Sequence, residues 1–164
     1  MIFVRIDDRL IHGQVVTAWV KHLDISKVII VDDDVYKDDF LKKVLYMASP
    51  PGIKLEIFSA VMFQNVNQTE IKDEHTMILI KTPQVAKFIY DKVIKFKELN
   101  IGGMGAKPGR KVLYRNVSIS PEELEILKEL VEEGVKVYYQ AVPSDKPIDI
   151  REIDLYKKII NRKE

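Results

Sequence analysis

The chain has 164 residues, 46% hydrophobic and 31% charged, which suits one globular domain over residues 1–164 and leaves little room for two. Its 26 Lys plus Arg against 25 Asp plus Glu give a net charge of +1, which argues against a nucleic-acid binder that relies on a strong basic field. Without cysteine there is no disulfide framework, thiolate zinc site or cysteine nucleophile. Apolar runs such as Val28-Ile29-Ile30-Val31 fall far short of the roughly 20 residues that span a bilayer. The start Met1-Ile2-Phe3-Val4-Arg5 lacks signal-peptide features, so a soluble cytoplasmic protein is expected.

Short Val- and Ile-rich runs alternate with amphipathic stretches. Ile2 to Ile6 predicts a first strand, followed by a helix with Val15, Val16, Trp19, Val20 and Leu23 on one face. Val28 to Val31 predicts a second strand. The Asp32-Asp33-Asp34 run after it reads as a solvated strand exit before a helix start near Tyr36, in preference to a magnesium site. Phe40, Leu41, Val44, Leu45 and Ala48 mark a further helix. Lys54 to Phe58 and Met77 to Ile80 are strands three and four, the latter preceded by a Lys72-Asp73-Glu74-His75 loop. Val85, Phe88, Ile89 and Val93 give the next helix, and Leu99 to Ile101 a fifth strand.

The Gly-rich, basic stretch from Ile101 to Asn116 is expected to be one long loop, and Val117 to Ile119 a strand. Ser120, Pro121 and Glu123 then form a cap, a first-turn proline and a capping box. The helix they open carries Leu124, Leu127, Leu130 and Val131 and stops at Gly134. Val135 to Tyr139 is a last strand, and the tail from Asp149 is helical with a frayed, charged Asn161–Glu164 end. Continuous rather than alternating apolar runs belong to strands covered on both faces. The expected fold is therefore α/β: a single open, mostly parallel twisted sheet of about seven strands with helices on both faces.

In such sheets ligands gather beyond the carboxyl ends of the strands. The first connection reads Arg5-Ile6-Asp7-Asp8-Arg9-Leu10-Ile11-His12-Gly13-Gln14 and contains neither a dinucleotide nor a P-loop glycine pattern. His12 is expected beside the free amides of Gly13, Gln14 and Val15 at a helix start, where the helix dipole favours an anion. Arg9 adds a donor fork suited to phosphoryl oxygens, and Asp7 or Asp8 could hold Arg9 or fix the histidine tautomer. A neutral imidazole is a competent nucleophile near neutral pH. The competing reading is a capping histidine with aspartates that end a strand and pair with Arg5 and Arg9. In the later loop, Gly102, Gly103, Lys107 and Arg110 are candidate phosphate contacts. His22 and His75 lack the spacing of a metal pair and make a weak metal case.

The segment R-I-D-D-R-L-I-H-G-Q resembles the signature of the IIB component of the mannose/fructose/sorbose family of the bacterial sugar phosphotransferase system. The resemblance continues through Val15, Val16 and Trp19, through Val28-Ile29-Ile30-Val31-Asp32-Asp33, and through Asn100-Ile101-Gly102-Gly103-Met104. It implies that His12 is the phosphorylated histidine, carrying phosphate on the ring nitrogen nearer the backbone, with Arg9 stabilising the phosphoryl group and Asp7 orienting Arg9 or His12. It further implies a relay from a IIA phosphohistidine donor to His12 and then to a sugar presented by membrane IIC and IID components, with no metal or organic cofactor, and it is compatible with a homodimer. The sugar itself is not legible.

A receiver-like signalling domain would also place acidic residues after its first strand. It requires a phospho-accepting aspartate after strand three, where this chain has Glu56-Ile57-Phe58-Ser59. A non-catalytic regulatory or binding module on the same fold is the remaining alternative, and acid-labile phosphate on His12 separates the two.

Overall fold

A computed structural model describes residues 1–72 and 75–162; Asp73 and Glu74 of the expected loop, and Lys163 and Glu164 of the tail, lie outside them. The chain runs β1 (Ile2–Asp7), α1 (Gly13–His22), β2 (Lys27–Val31), α2 (Asp33–Lys37), α3 (Asp39–Ala48), β3 (Lys54–Phe58), α4 (Ala60–Gln64) and α5 (Gln68–Lys72). It continues with β4 (Thr76–Ile80), α6 (Pro83–Lys92), β5 (Glu98–Gly103), β6 (Lys111–Tyr114), β7 (Val117–Ile119) and α7 (Pro121–Glu132). Last come β8 (Lys136–Tyr139), β9 (Ile148–Asp149), a short 3-10 turn (Ile150–Glu152) and α8 (Asp154–Arg162).

The main sheet has seven strands in the order β3-β2-β4-β1-β5-β8-β9, parallel throughout except for the antiparallel β9. Its membership differs from expectation. Val117–Ile119 pairs antiparallel with β6 in a separate two-stranded ribbon, and the two-residue β9 completes the main sheet instead. Nor is Ile101 to Asn116 one loop. β5 runs on to Gly103, Met104 bridges to Val117, and Lys111–Tyr114 form a strand. Lys111 and Val112 of that strand are exposed, so it lacks the continuous apolar signal of the interior strands.

Alternate strand residues serve two cores, as the period of two requires. Phe3, Val28, Ile30, Leu55, Ile57, Met77 and Leu79 pack with Val16, Trp19 and Val20 of α1 and Leu45 of α3. Val4, Ile6, Ile29, Val31, Ile78, Ile80, Leu99 and Ile101 face the opposite layer, where Ala86 and Ile89 of α6 and Leu124, Leu127 and Leu130 of α7 close the core. Helices therefore cover both faces. Among the described residues, no helix is long and apolar enough to cross a membrane.

Side chains cap most helix starts. Asp32 caps α2, Asp38 α3, Ser59 α4 and Thr82 α6, while Ser120 and Glu123 complete the expected capping box on α7. Two of the three aspartates after β2 are thereby accounted for. Asp32 accepts from the Val35 amide and Asp33 from the Ala60 amide, so α2 begins at Asp33, ahead of the expected start near Tyr36.

Ile89 is fully buried. Ile89→Ala should cost about 2–5 kcal/mol of folding stability, read as a lower denaturation midpoint with an unchanged slope.

Candidate functional site

β1 and β5 are neighbours in the sheet, yet the chain leaves β1 toward β2 and leaves β5 toward β8. Connections departing in opposite directions open a crevice at the carboxyl ends of the two strands. The His12 turn enters this crevice from β1 and the Gly102-Gly103 segment from β5. The β1–β5 register shifts between Ile6 and Asp7, so that Asp7 pairs with Gly103, and the Asp8 amide donates to the Gly103 carbonyl.

Arg5 and Asp7 lie two apart on one strand and so point to the same face, under α1. Both are fully buried and joined by an ion pair of 3.0 Å. The Arg5 guanidinium also donates to Asn100 Oδ1 and to the carbonyls of Gln140 and Ala141, and lies 5.5 Å from the Trp19 ring centre. Trp19 Nε1 donates to the same Ala141 carbonyl. Burial lowers the Arg5 pKa, a shift that the adjacent Asp7 opposes, and an arginine in a protein remains charged. Gly102 is fitted to this arrangement, since a Cβ there would lie 2.0 Å from Arg5 Nη2.

Asp7 uses its two oxygens a second time. Arg9 donates from Nε to Oδ1 and from Nη2 to Oδ2, each at 3.0 Å, and its backbone amide also reaches Oδ1. These hydrogen bonds raise the Arg9 pKa. The Arg9 side chain is 48% exposed, so its charge is held in place while remaining accessible.

The turn between them is tight. The Leu10 amide donates to the Asp7 carbonyl, and Leu10 adopts a left-handed φ of 55° that costs a branched residue about 1 kcal/mol or more. Burial of the Leu10 and Ile11 side chains holds the turn in this state. His12 follows as the N-cap of α1 in extended conformation, and its side chain caps none of the first-turn amides. Gly13 accommodates a φ of +48°. Nδ1 of His12 donates to the Leu10 carbonyl at 2.9 Å, while Nε2 faces Asp7 Oδ2 at 3.8 Å, beyond hydrogen-bond reach. The imidazole is 22% exposed.

Asp7, Arg9, His12 and the start of α1 at Gly13, Gln14 and Val15 are thus brought together, with Gly102 and Gly103 against them. Lys107 stands exposed in the following loop. Arg110 differs from the expected phosphate contact. Its side chain is 4% exposed and its guanidinium is occupied by Glu123 and the Gly105 carbonyl. His22 lies edge-on to Trp19 and His75 donates to the Asp24 carbonyl, both outside this cluster.

The part played by Arg5 was legible as a charged residue within an apolar strand, two positions before Asp7. Glu123 was legible only as the capping-box residue of α7 and Asn100 only as part of a segment that resembles the family, and Asn116 carried no signal. Asn116 donates to the Gly102 carbonyl and accepts from the Tyr139 hydroxyl, across separations visible only once the strands are assembled.

Fold and turn together define an open α/β protein with a histidine at the uncapped start of its first helix, in the crevice where the sheet connections diverge. The chain belongs to the sorbose subfamily of IIB components of the sugar phosphotransferase system, whose family model matches residues 1–164. It is 37% identical to the sorbose-specific EIIB component of Klebsiella pneumoniae over 147 residues, covering 89% of this chain and 90% of that protein. It is 32% identical to the mannose-specific EIIAB component of Escherichia coli K12, covering 94% of this chain and 48% of that longer protein. The crystal structure of the IIBSor domain of the Klebsiella pneumoniae sorbose permease superposes with a TM-score of 0.87 at 34% identity, covering 100% of this chain and 98% of the other.

Two outcomes follow from the electrostatics. Asp7→Asn leaves Arg5 buried without its counter-charge and should cost about 3–5 kcal/mol in chemical denaturation. Glu123 is desolvated, which alone would raise its pKa, but hydrogen bonds from Arg110 and the Ser120 amide outweigh this and hold the carboxyl below the ordinary glutamate range. A carboxyl with a lowered folded pKa adds stability that is fully present above its unfolded value of about 4.3 and is lost as pH falls through the folded value. Glu123→Gln should therefore flatten the acid side of the stability–pH curve below about pH 5.

Proposed function

We propose that His12 receives a phosphoryl group from the phosphohistidine of a IIA partner and passes it to a sugar entering through membrane IIC and IID components. The observation that carries this reading is a histidine with a charge-fixed arginine beside it, at a helix start whose amides no side chain among the described residues caps. A phosphoryl group in a loose transition state needs positioned positive charge more than covalent assistance. Arg9 and the amides of Gly13, Gln14 and Val15 supply it.

The ring nitrogens set the order of events. A carbonyl oxygen only accepts, so in this conformer Nδ1 carries the proton given to Leu10, and its lone pair is not available for attack. Phosphorylation at Nδ1 requires that bond to be released and the proton to reside on Nε2, where a small ring movement brings it within reach of Asp7. The Nδ1 lone pair then forms the new N–P bond, and the donor imidazole leaves with the electrons of the old one. In the second transfer a sugar hydroxyl oxygen attacks phosphorus and gives up its proton to solvent, while the N–P bond breaks and His12 leaves with that electron pair on Nδ1, its Nε2–H still held by Asp7. Asp7 thus serves two purposes, fixing Arg9 and selecting the productive tautomer.

The membership in the IIB family and the match to sorbose- and mannose-specific relatives support this reading and leave the sugar open. We further infer that residues 1–164 act as one domain, cytoplasmic and peripherally attached to the permease.

The test is intact-mass spectrometry at alkaline pH after incubation with phosphoenolpyruvate, the two general phosphotransferase proteins and a matching IIA. One acid-labile phosphoryl group is expected, absent in His12→Ala. Labelling that persists in His12→Ala, or no labelling with several active IIA donors, overturns the assignment and favours a regulatory module. Arg9→Met should slow transfer by about a hundredfold. It should change stability by less than about 1 kcal/mol, because the Arg9 side chain is half exposed.

A further inference from the structure

Resting on that reading, we propose that Arg110 and Glu123 are positioning residues for the transfer, forming a clasp that fixes the Asp7–Arg9 turn through Asp8. Arg110 meets Glu123 fork to fork, Nε to Oε1 at 2.8 Å and Nη2 to Oε2 at 2.7 Å. Their side chains are 4% and 5% exposed. Glu123 Oε1 also accepts from the Ser120 amide, so a single carboxylate ties the start of α7 to the loop after β5.

The chain of contacts continues toward the site. Arg110 Nη1 donates to the Gly105 carbonyl at 2.8 Å and lies 3.9 Å from Asp8 Oδ2. The Gly105 amide donates to that same Asp8 oxygen at 2.6 Å. Asp8 sits between Asp7 and Arg9 in sequence, and its own amide is bonded to Gly103. The turn that orients Arg9 is therefore held from the β1 side by Arg5 and from the β5 side by the clasp. A buried ion pair gains little net stability over well-packed apolar groups, but it does impose a fixed geometry. Here that geometry ends one residue from the group that stabilises the phosphoryl, where a displacement of about 1 Å can cost up to a hundredfold in rate.

Arg110→Met tests this, with Glu123→Gln as a second opening of the clasp and Ile89→Ala as a destabilised control remote from it. Transfer from phosphorylated IIA is followed for each variant under conditions where all are folded, together with the thermal midpoint. Opening the clasp should lower kcat about tenfold or more with KM for IIA unchanged, and leave His12 as the labelled residue. Ile89→Ala should lose thermal stability at wild-type kcat. Wild-type kcat in both clasp variants overturns the proposal, as does a rise in KM alone, which would make the loop a docking surface. A fall in kcat that tracks the midpoint equally across all three variants also overturns it and leaves the pair purely structural. Failure of the wild-type protein to accept phosphate at all refutes the His12 reading instead. Should Arg110→Met not fold, Arg110→Lys takes its place; keeping the charge but losing the fork, it should show a smaller fall in kcat.

Discussion

The carboxylate of Asp7 is the contact on which the site depends. It is fully buried and shared between two arginines, one permanently inside the protein and one half exposed. A buried carboxylate is costly unless paired and hydrogen-bonded, and Arg5 meets that requirement from within the sheet. Because Arg5 supplies the first neutralising charge, the pairing of Asp7 with Arg9 can serve orientation. A second arginine is thereby fixed at the surface without itself being buried.

That arrangement in turn constrains its surroundings. The guanidinium of Arg5 occupies space beside β5 that a side chain at position 102 would need, hence Gly102. Its two terminal nitrogens also reach Asn100 and the carbonyls that follow β8, so three parallel strands and Trp19 of α1 converge on one charge. The β6–β7 ribbon adds a further side. Asn116, at its turn, ties the Gly102 carbonyl to Tyr139, and the loop leading into the ribbon is clasped to Asp8. The segment expected to be one long loop is thus largely a structured wall.

The contrast among helix starts gives the site its chemical direction. Five helices begin with a side chain that satisfies first-turn amides, whereas α1 begins at a histidine whose side chain is turned to Leu10 and Asp7. Unclaimed amides beside a fixed arginine are suited to an incoming anion. The strained Leu10 turn holds the ring in this place, and the cost of its left-handed backbone is met by burying two apolar side chains.

By itself the sequence determined the α/β class, the layers of helix and strand, the capping box on α7 and the Asp7–Arg9–His12 motif, because each rests on local periodicity or on residues within one turn of one another. Strand exchange was not legible. Val117–Ile119 and β9 are both short, and which of them joins the main sheet depends on pairing between distant segments. Nor could spacing show that Arg110 would be spent on Glu123 or that Arg5 would be read out by Asn100 and the carbonyls of Gln140 and Ala141. Those contacts span from 13 to 136 residues of chain. They exist only because the parallel crossovers return β5 and β8 to the side of β1, where a buried charge needs hydrogen-bonding partners from outside its own strand.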